Sequence, residues 1–145
     1  APIMTRNGGG AWAQTIYWPL LHASRYGRGT ALRAVVDTPV YDCEDYQGVP
    51  VLDATAAVAE DGAVTIFAVN RDMQEGLELS VDLRDFPGLS KIEHTLLHHD
   101  DVKAINTEEN PDNVSPVLVK GGSLDGGRLT ITIPALSWNV IRLFK

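Results

Sequence analysis

The stretch that decides the fold is Leu77-Glu78-Leu79-Ser80-Val81-Asp82-Leu83, in which every second residue is apolar and the residues between are acidic or polar. Successive side chains of a β-strand point to opposite faces of a sheet, so this period of two predicts a strand with one buried face and one solvated face. A sheet that meets water on one side is typical of antiparallel structure.

Other segments share this period or have the composition of strands, and turn residues separate them. The further predicted strands are 32–36, 49–58, 63–69, 92–98, 117–119, 128–134 and 138–143. Glu60-Asp61-Gly62 is expected to close a hairpin, because Asp-Gly is a strong turn signal. Residues 100–127 form a long polar excursion that holds only one short strand. We therefore predict a mainly β chain, an antiparallel β-sandwich of jelly-roll type.

The composition bounds the kind of protein. Hydrophobic residues are 44% and charged residues 21% of the 145 residues, values that exclude disorder across the whole chain. The length suits one domain but not a large α/β barrel, which takes about 250 residues. A single cysteine, Cys43, can form neither an internal disulfide nor a thiolate zinc cluster, and it fits a reducing, cytoplasmic compartment.

The charge is negative and unevenly distributed. The formal net charge is -7, with +3 on residues 1–40 and -10 on residues 41–145. A nucleic-acid or anionic-membrane partner needs a basic face, so neither partner is expected. No apolar run approaches the roughly 20 residues of a membrane span. The chain starts Ala1-Pro2-Ile3-Met4 without the pattern of a signal peptide, and we expect a further segment upstream.

The first thirty residues follow a different pattern. A flexible glycine loop, Asn7-Gly8-Gly9-Gly10, precedes a helical period that predicts a helix over 11–26, with Gly27 as its C-cap. Pro19 has no N–H, so it either kinks this helix or marks a second start. The period changes to two from Thr30 onward.

Chemical motifs are sparse. His98-His99-Asp100-Asp101 suggests a metal site, but neighbouring strand residues point to opposite faces, so a strand end running into an acidic turn is the favoured interpretation. Asp42, Glu44 and Asp45 lack the spacing of a calcium loop. The acidic residues alternate with apolar residues or lie in turns, which is typical of a solvated face rather than of a glycosidase pair. We predict no catalytic residue and no metal site.

Trp12 and Gln14 are the candidate binding residues. A primary amide offers two donors and an acceptor to sugar hydroxyls, and an indole packs against a sugar face. The alternative is that both residues serve capping and packing.

Several long motifs, in order along the whole chain, resemble family 51 α-L-arabinofuranosidases. Residues 1–5, 8–9, 11–17 and 22–29 are similar to that family's last barrel strand, loop and helix. Its C-terminal β-sandwich is similar to residues 64–72, 93–94, 99–111 and 136–143. Arg6-Asn7 and Gly10 depart from the family's usual loop, where an acidic or polar residue and a proline are frequent.

The resemblance implies a division into residues 1–29, the final strand, loop and helix of a catalytic TIM barrel, and residues 30–145, the sandwich. The implied enzyme removes terminal α-L-arabinofuranosyl groups from arabinan and arabinoxylan with retention, using two barrel glutamates and no metal or cofactor. Gln14 then matches a glutamine that reaches the arabinose in the -1 subsite, and Trp12 belongs to the same motif.

Our leading hypothesis is thus the C-terminal portion of an intracellular α-L-arabinofuranosidase, inactive without the barrel that carries both glutamates. The sandwich would support the barrel and contribute to a homo-oligomer, and arabinose-containing oligosaccharides would be the ligands. A stand-alone carbohydrate-binding sandwich and a structural sandwich domain are the alternatives. The hypothesis also predicts that the helix is more exposed than its composition warrants, with Trp12, Ile16, Trp18 and Leu20 in an apolar patch.

Overall fold

Strands dominate the structure, a computed structural model that describes residues 1–145. The only helix is α1 (Tyr17–Tyr26). The strands are β1 (Ile3–Thr5), β2 (Ala11–Ala13), β3 (Thr30–Leu32), β4 (Val40–Tyr41), β5 (Val49–Pro50), β6 (Leu52–Val58), β7 (Val64–Asn70), β8 (Leu77–Asp82), β9 (Lys91–Leu97), β10 (Val117–Val119), β11 (Ser123–Asp125), β12 (Arg128–Ile133) and β13 (Ser137–Phe144). No helix combines the length and the apolar character that crossing a bilayer requires.

Two sheets form the body of the molecule. The larger has the strand order β10-β9-β13-β7-β6-β3 and the smaller has the order β11-β12-β8. Each strand pair in both sheets is antiparallel. The predicted mainly β, antiparallel class is confirmed. The division into six and three strands does not by itself establish the jelly-roll connection, which stays a prediction.

The hydrophobic core lies between these sheets. On β8, Leu79 and the following Leu83 are buried whereas Glu78, Ser80 and Asp82 are exposed, as the alternation predicts. Their partners from the neighbouring strand and from the larger sheet complete the core. The buried apolar cluster consists of Leu52, Val64, Ile66, Ala68, Leu79, Leu83, Leu129, Ile131, Ile133, Ile141 and Leu143.

α1 packs against the outer face of the larger sheet at β13. Trp138 of β13 donates from Nε1 to Nδ1 of His22 over 3.1 Å, and its ring stacks on Phe67 with a centroid separation of 5.7 Å. The Arg142 guanidinium lies over the Tyr26 ring, 4.4 Å from its centroid, in a cation–π contact. At β13, the larger sheet therefore lies between α1 on one side and the core and smaller sheet on the other.

The predicted start of the helix is wrong. Residues 11–13 form β2, which pairs with β1, and the helix begins only at Tyr17. Backbone pairing with residues 3–5 overrides the helical spacing of the side chains. Pro19 consequently lies in the first turn of the one helix, where its missing N–H leaves no intrahelical bond unmade, so it neither kinks the helix nor marks a second start. Gly27 closes the helix, as predicted, by donating its N–H to the carbonyl of Ala23 over 2.9 Å.

Three strand boundaries also differ from the prediction. The strand expected over 32–36 is β3, which covers 30–32 and ends where its register against β6 ends. The strand expected over 49–58 divides into β5 and β6, because the Val51 N–H turns to the carbonyl of Pro39. β11, which the excursion 100–127 was not expected to hold, pairs with β12. The hairpin of β6 and β7 through residues 60–62 and the short strand 117–119 are confirmed.

Candidate functional site

Trp12 and Gln14 reach the same atom. Trp12 belongs to β2 and Gln14 follows it, so their side chains point to the same side of the extended backbone. Trp12 donates from Nε1 to the carbonyl oxygen of Asn106 over 3.1 Å, and Gln14 donates from Nε2 to that oxygen over 2.6 Å. The Asn106 N–H in turn donates to Oε1 of Gln14 over 3.3 Å. The structure therefore brings the two predicted binding residues together on one loop residue.

Asn106 is almost fully buried, at 1% exposure, and each of its polar atoms has a partner. Nδ2 donates to the carbonyls of Ala13 and Val114 over 2.9 and 3.0 Å. Oδ1 accepts from the Val114 N–H over 2.7 Å. Trp18 adds a bond from Nε1 to the Val114 carbonyl over 3.3 Å. This set of bonds fastens the loop after β9 to residues 12–18, across more than ninety positions of sequence.

A second group of contacts closes the glycine loop against the same excursion. The Gly10 N–H donates to Oε1 of Glu108 over 3.0 Å, and Arg6 Nε lies 2.8 Å from Oε2 of that residue. Arg6 also lies 3.5 Å from Glu109. Hydrogen bonds from its own backbone N–H and from the Thr107 side chain hold the pKa of Glu109 below its usual range. Arg6, which departs from the family's usual loop, thus has an acidic partner of its own.

His22 joins α1 to the sheet in its neutral form. Its Nδ1 accepts the Trp138 N–H, so the proton of the neutral ring is on Nε2. Burial lowers the pKa of His22, and the nearby Arg25 lowers it further. The hydrogen bond that joins α1 to the larger sheet therefore depends on an uncharged His22 imidazole.

His98, His99, Asp100 and Asp101 lie where β9 ends and runs into a turn, as the favoured interpretation of this motif expects. His98 bonds to Asp100 over 3.1 Å, and His99 accepts the Asp101 N–H over 3.0 Å, so the four residues bond within their own turn. No three His, Cys, Asp or Glu side chains converge as a metal site needs. Each carboxyl group with a displaced pKa has it lowered, whereas a glycosidase general acid needs it raised. These groups are Asp72, Asp82 and Glu109.

A cleft of about 780 Å³ opens beside Trp138, and most of its lining comes from the segments 69–73, 97–104 and 136–138. The other lining residues are Thr15, Tyr41, Val51 and Val114. The sequence did not predict it, since its walls come from widely separated segments and no local pattern marks it. One rim carboxylate, Asp72, accepts the N–H groups of Gln74 and Glu75, and these bonds lower its pKa.

The family described as the α-L-arabinofuranosidase C-terminal domain matches residues 1–137. The chain belongs to this family. Asn106 and Glu108, whose contacts join residues 100–127 to the start of the chain, both lie within the part that matches the arabinofuranosidase C-terminal domain.

Two curated bacterial relatives match this arabinofuranosidase C-terminal domain along its whole length. The intracellular exo-α-(1→5)-L-arabinofuranosidase of Halalkalibacterium halodurans is 48% identical over 146 aligned positions. The intracellular exo-α-(1→5)-L-arabinofuranosidase 1 of Bacillus subtilis is 44% identical over the same span. The chain covers 100% of its own length and 29% of each relative.

Solved structures agree with this assignment. The family 51 α-L-arabinofuranosidase of Bifidobacterium longum superimposes with a TM-score of 0.88 at 35% identity, covering 99% of this chain and 28% of that one. The family 51 arabinofuranosidase of Xanthomonas axonopodis gives a TM-score of 0.89 at 28% identity, covering 99% and 29%. The likeness to these structures therefore covers the first thirty residues as well as the two sheets.

The arrangement also contains a residue that sequence reasoning missed. Asn106 lies in the polar run Asn106-Thr107-Glu108-Glu109-Asn110, which reads as a solvated loop. The signal that could have found it is the family motif that includes residues 99–111. Composition gives no such signal, because the partners of Asn106 lie about ninety residues earlier.

Proposed function

We propose that this chain is the C-terminal portion of a retaining α-L-arabinofuranosidase that removes terminal α-L-arabinofuranosyl groups from arabinan- and arabinoxylan-type substrates. The observation that carries the proposal is the 48% identity along the whole chain to the Halalkalibacterium halodurans enzyme. Relatives at 42–48% identity are named for α-(1→5) linkages, and one at 33% is named for α-(1→6) linkages. We accordingly include α-(1→5)-linked arabinose in the proposal.

In this proposal the two catalytic glutamates belong to an N-terminal barrel. Retention needs a nucleophile and an acid/base about 5–5.5 Å apart. The lowered pKa values of Asp72, Asp82 and Glu109 suit neither a general acid nor a pair that shares a proton. The chain's own contribution is a binding surface and a support, and it involves no metal or cofactor.

Gln14 is the proposed arabinose contact, with Trp12 lining the same pocket. One Nε2 hydrogen and Oε1 of Gln14 are engaged by Asn106, and the second Nε2 hydrogen has no partner within the chain. A primary amide held in this way can donate that hydrogen to a sugar hydroxyl. Gln14 is half-buried, so a substrate held by an adjoining domain can reach it.

We also propose that residues 1–29 are the last strand, loop and helix of the barrel, and that residues 30–145 are the supporting sandwich. Exposed apolar side chains on the first segment support this, with Ile3, Ile16 and Leu20 exposed by 54, 57 and 55%. Exposed apolar residues on the sandwich, such as Leu118 at 73%, are candidates for homo-oligomer contacts. The names of the relatives favour an intracellular, cytoplasmic location.

The test is a chimera in which this chain replaces the matching 29% of the Halalkalibacterium halodurans enzyme. We expect the chimera to release 4-nitrophenol from 4-nitrophenyl α-L-arabinofuranoside. The parent enzyme is the positive control, and the parent truncated before the matched region is the negative control. A folded chimera that is as inactive as the truncated parent would overturn the proposal. Sedimentation velocity on the same chimera tests the homo-oligomer.

A further inference from the structure

Asn106 is not itself the proposed arabinose contact, but it is hydrogen-bonded to Gln14, which is. We infer that Asn106 is a positioning residue, which sets the direction of the Gln14 amide toward substrate and holds the Trp12 indole beside it. This inference rests on the proposed function of Gln14. It adds a residue from the sandwich part of the chain to a site otherwise built from residues 12–14.

The first step is the amide pairing. The Asn106 carbonyl needs a donor and its N–H needs an acceptor, and Gln14 supplies them from Nε2 and Oε1 over 2.6 and 3.3 Å. Rotating the amide by half a turn would set donor against donor and oxygen against oxygen. Asn106 therefore fixes which end of the amide is nitrogen. The free Nε2 hydrogen is then fixed in direction as well.

The second step is the shared acceptor. The carbonyl oxygen of Asn106 receives Trp12 Nε1 over 3.1 Å as well as the Gln14 donor. A carbonyl oxygen has two lone pairs, so these two bonds use its full capacity. A displacement of Asn106 must consequently move or release both predicted binding side chains together.

The third step is the anchoring of Asn106 itself. Its side chain forms three hydrogen bonds, to Ala13 and to both backbone groups of Val114, while 1% of the residue is exposed. An apolar side chain at this position would leave those buried backbone groups unpaired. The loop would relax, and the carbonyl that holds Gln14 would move with it. Misplacement of a substrate-positioning group by about 1 Å can cost about a hundredfold in rate.

The experiment measures kcat/KM of the active chimera in four forms: unsubstituted, Asn106→Ala, Gln14→Ala and the double variant. We expect Asn106→Ala to lower kcat/KM by at least about tenfold, and to have a clearly smaller effect once Gln14 is already alanine, because only the part that acts through Trp12 then remains. The matched control is Asn113→Ala, which removes an exposed bond to the Ile105 carbonyl in the same loop. This control should leave kcat/KM within about twofold of the unsubstituted chimera.

The outcomes separate this inference from the proposed function. An inactive unsubstituted chimera overturns the proposed function, and the inference falls with it. An active chimera in which Asn106→Ala lowers thermal stability but leaves kcat/KM unchanged overturns the inference alone, and so does an equal loss with and without Gln14.

A measurement on the unsubstituted 145-residue chain covers the case in which Asn106→Ala does not fold. Gln14 Nε2 donates to the carbonyl oxygen of Asn106. Nuclear magnetic resonance should detect the scalar coupling that this hydrogen bond transmits between the Nε2 nitrogen and the carbonyl carbon. It should also show slow rotation of the Gln14 amide compared with the exposed amide of Gln47. Absence of the coupling, with the Gln14 amide rotating as freely as that of Gln47, would contradict the inference.

Discussion

Buried amides join distant parts of this chain because each of their polar atoms finds a partner. Asn106 connects the loop after β9 with residues 13–14, and Asn139 is fully buried on β13. Asn139 accepts from His94 Nε2 over 2.9 Å and donates to Ser137 Oγ over 2.8 Å. An unpaired buried donor or acceptor costs about 1–3 kcal/mol, so such residues fix one arrangement rather than several. The proposed binding residues depend on one of these amides.

Gln14→Ala in the active chimera should lower kcat/KM by the equivalent of about 1–3 kcal/mol, as expected for a lost hydrogen bond to substrate. Steady-state kinetics with 4-nitrophenyl α-L-arabinofuranoside checks this value. Gln47→Ala, at an exposed position, is the matched control and should be silent. An unchanged kcat/KM for Gln14→Ala would leave Gln14 with a structural role only.

Among the secondary-structure elements, local pattern foretold those whose burial alternates and missed those that depend on distant contacts. β8, β12 and β13 were predictable because apolar and polar side chains alternate along each strand, which marks its inner and outer face. The side-chain spacing around β2 predicts a helix, because the pairing of β2 with β1 leaves no trace in that spacing.

The candidate site divides in the same way. Trp12 and Gln14 were predictable from residue chemistry and family motifs. Asn106 was not singled out, since hydrogen bonds across about ninety residues leave no local trace. The cleft beside Trp138 was missed for the same reason.

Gly29 connects α1 to β3 and is expected to tolerate no side chain. Its φ is +110°, and an added Cβ would lie 2.2 Å from the Val58 carbonyl oxygen, a backbone atom that cannot swing away. Gly29→Ala should therefore lower the free energy of unfolding by about 3 kcal/mol, from backbone strain and overpacking together. Urea unfolding of the 145-residue chain measures this change.

The matched control for Gly29 is Gly62→Ala in the β6–β7 turn. Its φ is +83°, also in the left-handed region, but an added Cβ would meet open space. We expect a loss of about 1 kcal/mol from the backbone alone. Equal losses at both positions would show that the contact with Val58 is unimportant.

The contact between α1 and the larger sheet should weaken in mild acid. Burial lowers the pKa of His22 and of His94 below the ordinary 6.5, with Arg25 adding to the effect at His22 and the bond to Asn139 opposing it at His94. As the pH falls, the two imidazoles therefore bind a proton at a higher pH in the unfolded chain than in the folded chain. Stability is therefore fully present above 6.5 and declines below it, by at most about 1.4 kcal/mol per pH unit for each histidine.

Urea unfolding between pH 7.5 and 5.5 tests this decline. His22→Gln offers an amide oxygen to the Trp138 N–H and carries no titrating group, so its pH slope should be shallower than that of the unsubstituted chain. Stability that stays level or rises as the pH falls through this window would be inconsistent with neutral buried histidines.

Across the whole molecule, one side of α1 remains open. His22 is the only buried residue of α1, and Ile16 and Leu20 are more than half exposed, which confirms the prediction of a helix more exposed than its composition warrants. Trp12 and Trp18 were expected in the same exposed patch, but both are half-buried because their indole N–H groups bond to the loop after β9. An adjoining domain is the natural cover for the remaining patch, in keeping with a chain that spans 29% of its curated relatives.

The most direct test of this account compares the rate of 4-nitrophenol release from 4-nitrophenyl α-L-arabinofuranoside by the 145-residue chain alone and by its chimera with the remaining part of the Halalkalibacterium halodurans enzyme. We expect no release above the blank for the chain alone and steady turnover by the chimera. Turnover by the chain alone, or a folded chimera without turnover, would contradict the proposed function.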